Sequence, residues 1–354
     1  MTICTIAALS FAASVSAQNA QRIHERAIVI DTHNDVLSNQ LEKKVDLGKR
    51  LSTGQFDLER AKDGGLDAQI FSIWCGEDYG VGTAYAMANR QIDSLYALVK
   101  RYPKAITIAR TADDIRKAAK QRKLAALIGV EGGHMIDERL DYVDSLAKRG
   151  MVYLTLTWNN STSWSTSAQD ETFHKDSLSH LGLSEKGKAI VRRLNDLGVM
   201  VDVSHVGEKT FADVIATSSK PVIASHSSVY ALAPRPRNLK DEQIKAIAKT
   251  GGVVFVNFYS GFLDPTYDEK MPKRPALDVL INHIDYMVKL VGADHVGIGA
   301  DFEGAESYPE GMDSVADYPK ITAALLKLNY PITDIEKILG LNLLRVLEAN
   351  SPSK

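Results

Sequence analysis

Five side chains of metal-binding type stand out in this chain, each closing a short β-rich run. His33 and Asp35 lie two apart in Asp31-Thr32-His33-Asn34-Asp35, Glu131 opens Glu-Gly-Gly-His, and His205 and His226 each follow a serine. In an extended segment side chains alternate, so a His-x-Asp pair turns an imidazole and a carboxylate to the same side. That pair can serve one cation. His205 and His226 could give two imidazoles to a second, and Glu131 is the natural carboxylate to bridge both. Three imidazoles with two carboxylates suit Zn²⁺ better than Mg²⁺, which takes oxygen ligands. Taken singly these motifs are weak, because a histidine at a strand end is most often a hydrogen-bonding residue. The other six of the nine histidines, His24, His134, His174, His180, His283 and His295, read as structural. Among them His134 stands beside Glu131, where it can support a ligand.

What joins the set is where each member falls. Eight β-rich runs alternate with helical patterns: 27–32, 67–74, 124–130, 151–157, 198–204, 221–225, 251–258 and 295–300. Amphipathic stretches lie between most of them, at 84–100, 113–121, 184–197, 241–250 and 277–291, and helices follow at 315–328 and 333–349. Runs such as LAALIGV and GVVFVNF are almost wholly apolar, as strands buried on both faces are. Eight such units predict an α/β fold, a (β/α)8 TIM-like barrel in a single domain (residues 22–350) with C-terminal helices. An open doubly wound sheet is the runner-up, and no glycine-rich phosphate loop supports it. In the barrel the C-terminal strand ends meet on one face. His33, Asp35, Glu131, His205, His226 and the Asp301-Phe302-Glu303 run all follow strands.

Composition excludes several classes of partner. A net charge of −2 over 354 residues gives no electrostatic footprint for nucleic acid or anionic lipid. Residues 3–17, ICTIAALSFAASVSA, are apolar, small and uncharged, and end in the small-x-small run Val15-Ser16-Ala17. This reads as a signal peptide over residues 1–17, too short for a membrane span, and predicts an exported protein, periplasmic or extracellular. Of the two cysteines, Cys4 lies in that segment, and Cys75 follows an apolar run as a small packed residue.

The blocks DTHNDVL, DLERAKDGGLDAQIFSIW, IGVEGGH, YLTLTWNN, GLSEKGKAIVRRLNDLGVMVDVSH, PVIASHSS, RPRNLKDEQI and HVGIGADFEG run in order from about residue 27 to 304. Together they resemble the signature blocks of the membrane (renal-type) dipeptidase family. The resemblance implies a (β/α)8 fold, two zinc ions per chain, a homodimer, and hydrolysis of dipeptides, often with a D-residue at the C-terminal position, by a metal-bridging hydroxide. It places His33 and Asp35 on one zinc, His205 and His226 on the other, and Glu131 between. It also makes Arg237 the anchor of the substrate carboxylate and Asp301 the catalytic acid/base. One position departs from the family pattern. Trp158 stands where a substrate-contacting histidine is frequent, followed by Asn159 and Asn160. An indole has one donor and no acceptor. Trp158 is therefore expected to wall the substrate pocket, with Asn159 or Asn160 supplying a polar contact.

Two other readings stay open on the sequence. One is a different two-metal barrel hydrolase acting on lactones, β-lactams or phosphoesters. Many of these bridge their metals with a carboxylated lysine, and no lysine lies near Glu131. The other is a non-catalytic binding protein that kept the scaffold, which the full ligand set and Asp301 argue against.

Overall fold

The computed structural model describes residues 18–76 and 80–352. The signal segment read at 1–17, with Cys4, lies outside the described residues. Nine strands form one parallel sheet: β1 (Ile30–Asn34), β2 (Ala68–Ile73), β3 (Ile106–Ile108), β4 (Leu124–Glu131), β5 (Met151–Thr155), β6 (Met200–Asp202), β7 (Ile223–Ala224), β8 (Val253–Val256) and β9 (Val296–Ile298). Eight of them run in the order β1-β2-β4-β5-β6-β7-β8-β9, and β3 pairs outside this path with β4. The ends are joined as well. Asp35 N donates to Phe302 O (3.0 Å), and Asp301 N donates to His33 O (3.1 Å). The sheet is thereby closed into the barrel expected from the eight strand–helix units.

Strand β4 shows how the sequence divides inside from outside. Its side chains are all buried, as a strand covered on both faces requires. Leu124, Ala126, Ile128 and Val130 join the layer between sheet and helices. Ala125 and Leu127 join a second cluster with Ile30, Ile70, Tyr153 and Phe255. Continuing the alternation, Gly129 and Glu131 share the face of Ala125 and Leu127. Gly129 has to lack a side chain: a Cβ there would lie 2.1 Å from the Tyr153 ring. The second cluster also takes in Leu343, Leu344 and Val346 of the C-terminal helix (Asn342–Asn350).

The surrounding helices begin where local chemistry starts them. Thr111 and Asp114 form a capping box at the helix Ala112–Lys120. Ser184 caps Glu185–Leu197, which stops at Gly198 in the left-handed region (φ 71°). The pattern at 277–291 coincides with the helix Leu277–Val291. The helix expected over 333–349 divides instead into Ile332–Glu336, a π-turn Lys337–Leu341 and Asn342–Asn350. Gly340 sits in that turn against Ile28 O, where a Cβ would come within 2.2 Å. Strand β3 and the helices Val36–Lys43, Leu58–Asp63, Leu140–Lys148, Ala168–Phe173 and Glu208–Thr217 were not read from periodicity. Most are short, so their apolar faces span too few turns to register. No helix of the described residues is long and apolar enough to cross a membrane. Cys75 is buried, with Sγ 3.3 Å from Met135 Sδ.

Candidate metal centre

Glu131, the last residue of β4, stands at the middle of three imidazoles. Its Oε1 is 2.9 Å from His205 Nε2 and 3.4 Å from His226 Nε2, and its Oε2 is 3.4 Å from His33 Nε2. His33 Nε2 also faces Asp35 Oδ2 (3.7 Å) and Asp301 Oδ1 (3.8 Å). Two groups have ligand atoms close enough to share an ion: His33, Glu131 and His226, and His33, Asp35 and Asp301. The strand ends thus bring together His33, Asp35, Glu131, His205, His226 and Asp301.

The far nitrogen of each ring is occupied. His33 Nδ1 lies 2.8 Å from Tyr153 Oη, whose own proton goes to Thr32 O (3.1 Å). His205 Nδ1 meets Asn159 Oδ1 at 3.1 Å, and His226 Nδ1 meets Ser225 Oγ at 2.8 Å. Each Nδ1 can donate, which leaves three Nε2 lone pairs converging on one carboxylate. His33 Nε2 and Asp35 Oδ1 are buried without a hydrogen-bond partner. Unpaired polar atoms of this kind are costly in a core unless an ion takes them up.

Electrostatics make the same demand. For Glu131 burial works to raise the pKa, but the His33 charge and the close His205 and His226 rings hold it well below the carboxylate range. Burial opposes a proton on His33, yet Tyr153, Glu131 and Asp35 together raise its pKa well above normal. His205, by burial and the nearby Arg237, is lowered to about 4, and burial with the His33 charge drives His226 well down. Without a cation the carboxylates draw a proton onto His33. The donor set therefore fits a cation: buried carboxylates, two imidazoles held neutral and an unmet need for positive charge that His33 meets with a proton.

Asp301 closes one side. Its carboxyl is pushed up to about 7, mostly by burial; His33 opposes the rise, and the Asp35 and Glu131 charges add to it. Asn257 Nδ2 donates to its Oδ2 (2.9 Å). Arg237 stands on the other side, 8 % exposed, with Nε buried and unpartnered. Its Nη2 donates to His226 O (3.3 Å), and its guanidinium carbon lies 5.4 Å from the Phe262 ring centre. Burial lowers its pKa to about 10, so it remains a cation at neutral pH. These groups open on a cavity of about 510 Å³, also lined by Trp74, Trp158, Asn159 and Tyr259.

Trp158 packs beside Trp74, ring centres 5.0 Å apart, and 6.4 Å from His205. Asn159 borders the cavity, but its side-chain oxygen is engaged by His205 rather than free for a substrate. Tyr153, Ser225, Asp202 and Trp74 were missed. Tyr153 and Asp202 were legible in principle as polar residues inside otherwise apolar strand runs. Four of the remaining histidines fasten the fold: His24 to Thr322 and Gly64, His283 to Val229 and Leu263, His295 to Gly252 and His174 to Asp170. His134 Nε2 lies 2.9 Å from Cys75 O.

Comparison with known proteins finds relatives over most of the chain. The model of a family described as membrane dipeptidase (peptidase family M19) matches residues 17–353. A dipeptidase of Claviceps purpurea, tcpJ, is 31% identical over 332 residues, covering 90% of this chain and 76% of its own. The crystal structure of the probable dipeptidase PvdM from Pseudomonas aeruginosa superposes with a TM-score of 0.83 at 25% identity, over 95% of this chain and 98% of that one. A metallopeptidase of Rhodobacter sphaeroides, solved with a phosphinate mimic of the dipeptide L-Ala-D-Ala, superposes with a TM-score of 0.82 at 26% identity, over 92% and 99%.

Proposed function

This chain belongs to the membrane dipeptidase family, peptidase family M19, and on that premise we propose that it is an exported two-zinc enzyme cleaving dipeptides, L-Xaa-D-Xaa among them. His33 and Asp35 would hold one zinc, His205 and His226 the other, and Glu131 would be shared. When bound, the ions supply a Lewis acid for the scissile carbonyl and a nucleophile at neutral pH. The observation that carries the reading is the convergence of three Nε2 atoms on Glu131 beside a buried, partly unpaired arginine.

The chain's own groups then divide the work. Arg237 pairs with the substrate's terminal carboxylate by charge-assisted hydrogen bonds, which favours dipeptides over longer chains. Asp301, with a carboxyl pKa near neutrality, takes a proton from the attacking water and returns it to the leaving amine. Its Oδ2 is steadied by Asn257, while Oδ1 faces His33 and the centre. Trp158 and Trp74 form an apolar wall that excludes water and meets a substrate side chain. The apolar segment at 3–17 supports export to the periplasm or beyond, and the family resemblance supports a homodimer.

The test is turnover of L–L and L–D dipeptides by zinc-loaded mature protein, with metal content measured alongside. Lactones, β-lactams and phosphoesters are assayed in parallel. Two zinc ions per chain and dipeptide turnover are expected. A fully loaded protein that cleaves no dipeptide would remove the reading.

A further inference from the structure

Asp202 ends β6 and is fully buried. Its hydrogen bonds divide by oxygen. Oδ1 accepts the backbone N–H of Ser204 (3.1 Å) and of Ser225 (2.7 Å). Oδ2 accepts the hydroxyls of Thr155 (2.5 Å) and Ser225 (2.6 Å). A serine hydroxyl has one proton. With that proton committed to Asp202, Ser225 Oγ can only accept from His226 Nδ1, 2.8 Å away. Nδ1 is then the protonated nitrogen. Nε2, 3.4 Å from Glu131 Oε1 and 3.0 Å from His205 Nε2, keeps its lone pair.

We propose that Asp202 is a positioning residue for the metal centre: acting through Ser225, it fixes His226 as the Nδ1–H tautomer and so keeps Nε2 available to a cation. What Nε2 binds rests on the function proposed above, whereas the tautomer is a property of the metal-free chain.

Asp31 separates this role from plain backbone support. Its Oδ1 also accepts two backbone N–H groups, from His33 (3.2 Å) and Ala300 (2.9 Å), one on its own strand and one across the barrel seam. Its Oδ2 accepts from Tyr318 Oη (2.6 Å) and leads to no imidazole. Both aspartates also hold the residue before a site residue in the left-handed region: Ser204 before His205 (φ 67°) and Ala300 before Asp301 (φ 60°). Backbone clamping is thus common to the two. The step through a hydroxyl to a ligand nitrogen belongs to Asp202.

Asp202→Asn pulls the two duties apart. Backbone N–H groups can only donate, so the amide oxygen must stay against Ser204 and Ser225, and Nδ2 must turn to the hydroxyls. Ser225 Oγ then accepts from Nδ2 and donates to His226 Nδ1, which forces the Nε2–H tautomer. An aspartate-to-asparagine change that keeps geometry but sets the wrong tautomer is a known way to disable an imidazole. Long-range ¹H–¹⁵N spectra of the metal-free, histidine-labelled protein read the tautomer directly. Wild type is expected to show the Nδ1–H pattern at His226, and Asp202→Asn the Nε2–H pattern. Zinc affinity, read by chelator competition, should fall by about 10–100-fold, with the melting temperature of the metal-free protein little changed.

Ser225→Ala keeps the Asp202 Oδ1 contacts and covers the case in which Asp202→Asn does not fold. It should give mixed tautomers at His226 and about tenfold weaker zinc. An Nε2–H His226 in wild type, or the Nδ1–H pattern unchanged in the variants, would overturn the proposal. A switched tautomer with unaltered zinc affinity would leave the relay standing and instead remove His226 as a metal ligand.

Discussion

The half of the centre carried by β1 and the segment after β9 holds His33, Asp35 and Asp301, one imidazole with two carboxylates, while the half after β6 and β7 holds His205 and His226, with Arg237 alongside. The first half attracts protons: His33 is raised, and Asp301 sits at about 7. The second repels them, with His205 at about 4 and Arg237 contributing to that depression. The supports differ too. His33 leans on a neutral tyrosine hydroxyl, His205 on a loop amide, and His226 on a serine backed by Asp202. One small cavity thus sets proton-attracting groups at one wall and a buried guanidinium at the other. A dipeptide with its carboxylate at Arg237 would present its scissile bond between them.

Glu131 contacts imidazoles of both halves, so its loss should have the largest effect. Glu131→Ala is expected to lose zinc from both positions and to reduce kcat/KM by more than the 10⁴ or so at the upper end for an acid–base group. Metal analysis of the variant beside Asp35→Ala, which should lose less, checks this. Full two-metal occupancy in Glu131→Ala would end the shared-ligand picture.

Asp301→Asn probes the proton-attracting wall. An amide is nearly isosteric but cannot shuttle a proton, so kcat should fall by about 10²–10⁴-fold with zinc retained. Near-normal kcat at normal metal content would take Asp301 out of the mechanism. Arg237→Met probes the opposite wall. A charge-assisted hydrogen bond contributes roughly 1.5–3 kcal/mol, so kcat/KM on dipeptides should fall by at least about tenfold. Dipeptide amides, which lack the charge, should suffer much less; equal losses on both would assign Arg237 another task.

Asn159→Ala separates ligand support from substrate contact. With its side chain on His205 Nδ1, the variant should weaken zinc binding by about tenfold, near the low end for lost ligand supports. A KM change at unaltered zinc affinity would return Asn159 to the substrate. The smallest effect belongs to Trp158→Ala, a change of a few-fold in KM that reorders dipeptides by side-chain size. An unchanged order with lower melting temperature would make Trp158 a packing residue alone.

Much of this site could be read from the chain because a closed parallel barrel gathers its strand ends on one face. The polar residues that end apolar runs, His33, Glu131, His205 and His226, had little choice but to meet there. Their supports were harder to see. Tyr153 lies 120 positions from His33, and it reaches across the barrel only because Gly129 on the neighbouring strand leaves room for its ring. Short helices such as Ala168–Phe173 escaped for a simpler reason: six residues carry less than two turns of periodicity.

By itself the sequence determined the alternation of strand and helix, the residue types at the strand ends, and hence the barrel and a donor set suited to a metal. These follow from local patterning, because burial on one or both faces dictates which residues an element can carry. Tertiary structure alone decided which nitrogen each imidazole presents, that Asn159 turns to His205, and that Arg237 is buried with Nε unpaired. A hydrogen-bond partner depends on the distance between strands remote in sequence, and the closing of the barrel sets that distance.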